Sequence, residues 1–183
     1  MARGTLTAQM ARILSRADEC RGFDVLFDHG QKGTDPPDKL GKIVSWFGSE
    51  YKLSARLALL DIAVVLHGSR KVFALIEIEE TTDKPKVLLG DVLATLLGDR
   101  ITFQRKRNLE IGPWTTLIVF ACSSEGTHQT RIDLLEKQVN QLRSRLSTPN
   151  ASIGRIVIDT FRDRLELQDR LKRQVAKALL EVE

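Results

Sequence analysis

The chain alternates amphipathic stretches with near-continuous apolar runs. Residues 5–20 put Leu6, Met10, Ile13 and Leu14 on one side of a helical wheel and predict a helix. Residues 23–27 read as a short strand or a loop. Residues 28–38, punctuated by Gly30, Gly33, Pro36 and Pro37, read as a flexible loop. Asp35 can cap a helix that has the two prolines in its first turn and runs to about Phe47. Two apolar runs follow, residues 57–66 and 72–78, separated by His67, Gly68, Ser69, Arg70 and Lys71. Their β-branched content and the polar break predict an antiparallel hairpin buried on both faces. Asp83 as N-cap, Pro85 in the first turn and Gly98 as a stop frame a helix over 86–97 that is apolar nearly all round. Strands are expected at 101–103, 115–122 and 153–158, and helices at 130–146 and 161–182. The 3-4-3-4 spacing of Ile132, Leu135, Val139, Leu142 and Leu146 marks the first of these helices. The expectation is an α/β fold: a single domain with a mixed β-sheet, an antiparallel hairpin core and flanking helices.

Length and composition narrow the class. At 183 residues, with 42% hydrophobic and 28% charged positions, one compact domain is expected. No run of 18 apolar residues occurs, which excludes an apolar membrane-spanning helix. The first ten residues lack the apolar core of a signal peptide, so a cytoplasmic protein is expected. Cys20 and Cys122 have no partners at metal-ligand spacing and read as two thiols. The three histidines fit no triad, and no phosphate-binding glycine loop is present. A formal charge of +4 suits a nucleic-acid partner without requiring one.

Some acids sit where apolar residues are expected. Asp61 interrupts the first apolar run, and Glu77 and Glu79 end the second. An unpaired carboxylate in a buried strand costs several kcal/mol in order of magnitude. Strand alternation puts Glu77 and Glu79 on one face. If Leu66 pairs with Val72 across a five-residue loop, Asp61 falls opposite Glu77 and all three carboxylates share that face. A two- or four-residue loop would reverse Asp61. Three converging carboxylates with no intervening cation point to Mg²⁺ or Mn²⁺, which prefer oxygen ligands. The plainer possibility is strand-end acids that emerge into solvent.

Asp61, then Glu77-Ile78-Glu79, then a buried helix and further strands, resembles the PD-(D/E)xK nuclease superfamily with its restriction-endonuclease-like fold. The resemblance covers about residues 36–122, the catalytic core. Residues 1–35 would form an N-terminal helix and loop, and 123–183 a C-terminal helix–strand–helix, within one domain. It implies a Mg²⁺-dependent endonuclease acting on DNA, with Asp61 and Glu77 as metal ligands and Glu79 orienting or deprotonating the attacking water. By position it also implies Glu50 as a further metal ligand. Glu79 stands where the commonest family pattern has Lys, and Lys84 or Lys86 just beyond the strand can supply that ammonium. Candidate phosphate contacts are Arg105, Lys106 and Arg107, with Lys32 in the loop and a further basic set in the last helix. The stripe from Ile132 to Leu146 has two readings: packing on the chain's own sheet, which is preferred, or contact in a homodimer, since nucleases that cut both strands often act as dimers. The alternative is a noncatalytic module of the same fold that binds DNA or a protein, and a third is an unrelated α/β binding protein.

Overall fold

The computed structural model describes residues 5–30, 33–48, 52–80, 84–123 and 129–180. In chain order the elements are α1 (Thr5–Leu14), β1 (Phe23–Phe27), β2 (Ile43–Trp46), β3 (Arg56–Leu60), β4 (Ile62–Leu66), β5 (Val72–Glu79), α2 (Pro85–Leu96), β6 (Arg100–Phe103), β7 (Arg107–Leu109), β8 (Thr116–Cys122), α3 (Gln129–Arg143), β9 (Arg155–Phe161) and α4 (Arg164–Leu180). Among the described residues they form one α/β domain with two sheets and four α-helices. The main sheet has the order β1-β4-β5-β8-β9 and the smaller one β3-β2-β6-β7. In the main sheet β1, β4 and β5 are antiparallel neighbours, while β8 and β9 run parallel to β5.

Strand alternation divides the core cleanly. Ala63, Leu75, Val119 and Ile158 face α2, α3 and the smaller sheet, and Ile62, Ile76, Ile118 and Val157 face α1 and α4. The central strands are therefore buried on both faces, which explains their unbroken apolar sequence. The stripe on α3 is used for this packing, since Ile132, Leu135 and Val139 are buried against the chain's own sheet. Among the described residues, no helix is long and apolar enough to cross a membrane.

Four expectations are corrected. Residues 57–66 are not one strand: the chain bends at Asp61, so β3 belongs to the smaller sheet and β4 to the main one. The helix expected up to Phe47 is replaced by turns and strand β2. Asp35, the supposed cap, is instead held by Arg12 of α1 at 2.8 and 2.7 Å, and the β-branched Ile43 and Val44 pair with β3 and β6. The β4–β5 connection is a four-residue loop closed by the Leu66 N–H on the Lys71 carbonyl. A bulge then inserts Phe73 between the Val65–Val72 and Val64–Ala74 pairs and restores the parity that such a loop would reverse, so Ala63 still faces Leu75. Helix α2 is not apolar all round, because Leu88, Val92 and Leu96 are buried but Val87 is exposed and Asp91 turns toward β5. Asp83, the expected cap of α2, lies outside the described residues.

A carboxylate corner at the sheet junction

Asp61 sits where the chain leaves the smaller sheet for the main one. The β4–β5 ladder ends at the Ile62–Ile76 pair, whereas β5 continues to Glu79 beside β8. Beyond Ile76, then, β5 has no backbone partner on its β4 side. The Asp61 side chain takes that place: Oδ2 accepts the Ile78 N–H at 2.8 Å, and Oδ1 accepts the Thr7 hydroxyl of α1 at 3.1 Å. Its main chain is tied down as well, with the N–H donating to the Ile76 carbonyl and the carbonyl accepting from the Asp28 N–H. Burial pushes the Asp61 carboxyl up to about 6, with the two hydrogen bonds and His29 opposing and Asp28 adding repulsion.

Glu77 lies opposite Asp61, one step beyond the ladder, on the face shared with Leu75. With Asp91 of α2 it lines a cavity of about 170 Å³ walled by Leu57 to Leu60 on β3. Its Oε2 is shut off from solvent and accepts no hydrogen bond. Burial, and after it the negative charge of Asp61 and that of Asp91, hold the Glu77 carboxyl well above the ordinary range. Burial and the charge of Glu79 raise Asp91 too. Four carboxylates thus share one end of the sheet, at the carboxyl ends of the parallel strands, where ligands of open α/β sheets commonly bind. Among the described residues, no three His, Cys, Asp or Glu side chains are arranged to hold a metal ion, so Asp61, Glu77 and Glu79 are neighbours without forming a closed ligand set.

Of the other sequence candidates, Lys86 is exposed in the first turn of α2. Arg105 and Lys106 occupy the β6–β7 turn, where Arg105 adopts a positive φ of 59° and lies 6.0 Å over the ring of buried Trp46. Arg107 donates to the Ser69 carbonyl in the β4–β5 loop. That loop is at the opposite end of β5 from Glu79, about 23 Å away at roughly 3.3 Å per residue. Glu50 and Lys32 fall outside the described residues. Sequence reasoning missed Asp91, Thr7 and Asp28. Asp91 carried the same signal as Asp61, a carboxylate between Leu88-Leu89 and Val92-Leu93. Thr7 carried no such signal. Against protein-family models, curated proteins and solved structures, the chain matches none.

Proposed function

We propose that the chain is a divalent-cation-dependent nuclease of restriction-endonuclease-like architecture, hydrolysing DNA phosphodiester bonds at Asp61, Glu77 and Glu79. The observation that carries this reading is Glu77 Oε2, a carboxylate oxygen without solvent or partner, one strand across from Asp61. An uncompensated buried charge costs several kcal/mol in order of magnitude, and a bound cation would compensate both acids at once. The element order supports the reading. Three antiparallel strands (β1, β4, β5) precede α2 and then β8, parallel to β5. Asp61 opens the second of these strands, and Glu77-Ile78-Glu79 ends the third.

Asp61 and Glu77 would hold the Mg²⁺ or Mn²⁺, which when bound lowers the pKa of a coordinated water and offsets charge building on the phosphoryl oxygens. The protein's own groups supply position and proton transfer. The Ile78 N–H and the Thr7 hydroxyl fix the plane of the Asp61 carboxylate. Glu79 accepts the proton of the attacking water as its oxygen bonds to phosphorus and the ester P–O bond breaks. The test is cleavage of a mixed DNA panel with Mg²⁺ or Mn²⁺, run beside calorimetric titration of Mn²⁺. We expect metal-dependent cleavage that Asp61→Ala and Glu77→Ala both abolish; full activity in either variant rejects the assignment. One observation favours a noncatalytic module of the same fold: both Asp61 oxygens already accept hydrogen bonds, from the Ile78 N–H at the sheet edge and from the Thr7 hydroxyl of α1. Absence of both Mn²⁺ binding and cleavage would select that second reading.

A further inference from the structure

The smaller sheet has two unlike faces. Leu60, Ile43, Ile101 and Phe103 point into the core that it shares with the main sheet. Strand alternation turns Val44 and Trp46 of β2 the other way. Trp46 pairs with Arg56 of β3 on one side and Arg100 of β6 on the other, so three neighbouring strands set Arg, Trp and Arg in one row of that outer face. The Arg105 guanidinium lies 6.0 Å over the same indole ring. Trp46 is fully buried whereas Arg56 and Arg105 are exposed, so the indole forms a floor beneath the cations. The turn that brings Arg105 there holds Gln104 and Arg105 at φ of 52° and 59°, a left-handed pair that Asn and Gly adopt more easily. Gln104 is anchored, its Nε2 donating to the Pro37 and Leu40 carbonyls. Its N–H donates to the Lys42 carbonyl, which extends the β2–β6 ladder by one row. Exposed Lys42, two residues before Val44, ends the outer face on that side.

Charge sets this face apart. Elsewhere basic side chains are tied to acids: Arg12 to Asp35, Lys39 to Asp24, Arg70 to Glu110 and Arg170 to Asp159. Lys42, Arg56, Arg105 and Lys106 carry no ion pair among the described residues. Arg107 is not part of the set, because it pairs with the core-facing Phe103 and donates to the Ser69 carbonyl. Phosphate oxygens complement such cations, guanidinium most of all, since its planar fork meets two oxygens at once. The face also leads to the carboxylate corner. Lys42 and Asp61 both stand one position beyond the Ile43–Leu60 pair, so their backbones are on the order of 5 Å apart, one strand spacing. Trp46 lies about 13 Å further along β2, at roughly 3.3 Å per residue. We propose that the outer face of the smaller sheet binds the backbone of a nucleic acid, with Lys42, Arg56 and Arg105 on phosphates that lead away from the corner. The buried indole offers no base a surface to stack on, so this face reads backbone and not sequence. As a path to the scissile bond the proposal rests on the nuclease reading above, but the binding surface can be tested without it.

The experiment is fluorescence anisotropy of a labelled DNA duplex of about 20 base pairs, and of one of its strands alone, with the full chain in chelator at about 50 to 200 mM salt. Lys42→Gln, Arg56→Gln and Arg105→Gln should each weaken binding about threefold to tenfold, and the triple variant about a hundredfold or more. Each should also lower the slope of log affinity against log salt by one contact, about 0.9 on duplex or about 0.7 on a single strand. Arg56→Lys keeps the charge and should keep the slope. Arg173→Gln with Lys177→Gln removes two exposed charges from α4, on the far face of the main sheet, and should change neither affinity nor slope. Loss in the triple variant on duplex alone or on the single strand alone supports the proposal and identifies the form bound. No binding of either DNA up to about 100 µM protein at the lowest salt, a triple variant that binds like wild type, or an equal loss in the α4 variant overturns it. Binding of phosphatidylserine vesicles with DNA left unbound overturns it as well. Absent cleavage beside the expected binding pattern rejects the nuclease reading and leaves this surface in place. Cleavage beside binding that ignores the triple variant does the reverse.

Discussion

Two carboxylates occupy comparable places at the carboxyl ends of parallel strands, and the chain treats them oppositely. Asp159 of β9 lies in the row shared by Phe120 and Ile78, one step from Glu77, with α4 covering its face. Its Oδ1 accepts the Thr160 N–H and the Arg170 guanidinium, and its Oδ2 accepts Gln174 at 3.0 Å. Arg170 is held in turn by Glu166, which Arg162 also grips, keeping the Glu166 carboxyl down at about 2. Every charge in that cluster has a stated partner. At the corner, by contrast, Glu77 faces Asp61 and Asp91 and has an oxygen with no partner at all. Placing an acid at a strand end therefore does not by itself fix its role. A satisfied acid ties a helix to a sheet, and an unsatisfied one holds strain that a ligand can relieve.

The largest effect expected from breaking this comparison is on activity. With Mg²⁺, Asp61→Asn and Glu77→Gln should lower cleavage by about a thousandfold or more, and Glu79→Gln by a hundredfold to ten-thousandfold, the usual worth of a positioned proton acceptor. Asp159→Asn should leave the rate per folded molecule unchanged. Initial rates normalised to the folded fraction measure this, and an equal loss in Asp159→Asn would remove the distinction between the two clusters.

Next in size is the pH dependence of stability without metal. Asp61 titrates near 6 in the folded chain against an ordinary 3.8. The folded state therefore binds the additional proton between those values. Its contribution is fully present below about pH 4 and is lost as pH rises through 6, up to roughly 3 kcal/mol at 1.36 kcal/mol per unit. Glu77, raised further by burial and by Asp61, acts in the same direction and extends the loss to higher pH. Thermal denaturation in chelator should show Tm falling between pH 5 and 7.5, with the slope reduced in Glu77→Gln and the loss reversed by Mn²⁺ in the wild type. A Tm that rises over that interval contradicts the assignment of the corner as the unsatisfied region.

A third comparison uses matched amide substitutions at pH 7.5 in chelator. Glu77→Gln removes an acid whose ionisation is opposed by burial and by the charges of Asp61 and Asp91, and should raise stability by about 1–2 kcal/mol. Asp159→Asn removes a charge that Arg170 and Gln174 both use, and should lower it by about 1–3 kcal/mol. Urea unfolding midpoints read both, and the opposite signs are the point.

How much of this was legible in the sequence follows from the range of the interactions involved. The β4–β5 hairpin and the placing of Asp61, Glu77 and Glu79 among apolar residues follow from period-two alternation, a local signal, whereas the face parity, expected from a five-residue loop, comes instead from the bulge at Phe73. The split at Asp61 was not legible, because ten mostly apolar residues read as one strand. What divides them is Asp61 capping Ile78, seventeen positions later, and reaching back to Thr7. Strand β2 was read as helix because Asp35 with two prolines is a sound local start signal. The competing claim on Asp35 comes from Arg12, on another element. Asp91 was readable by the argument that found Asp61. Its apolar neighbours Leu88, Leu89, Val92 and Leu93 mask it, because together they read as a helix buried nearly all round.

The smallest effect separates the two roles of Asp61, edge cap and charged group. The outer edge of β9 is capped in the same manner by α3. Asn140 accepts the Ile156 N–H at 3.1 Å and donates to the Ile156 carbonyl at 2.8 Å, while Glu136 accepts the Ile158 N–H at 2.8 Å. These side chains act as a partial extra strand and close an edge that would otherwise be open to pairing. Asn140→Ala removes one donor and one acceptor from a half-buried edge that water can reach in part, and should cost about 1 kcal/mol. Asn140→Asp keeps the acceptor and loses the donor, so it should cost less for the N–H but set a carboxylate against the Ile156 carbonyl. Asp61→Asn is the matched change at the corner, since its retained oxygen can still accept the Ile78 N–H. If capping is all that Asp61 does, Asp61→Asn will be neutral in stability and in cleavage. If the charge matters, it will gain stability in chelator at pH 7.5, because the buried charge is gone, and lose cleavage. Amide hydrogen exchange at Ile78 reads the cap directly, and should stay slow in Asp61→Asn and become fast in Asp61→Ala.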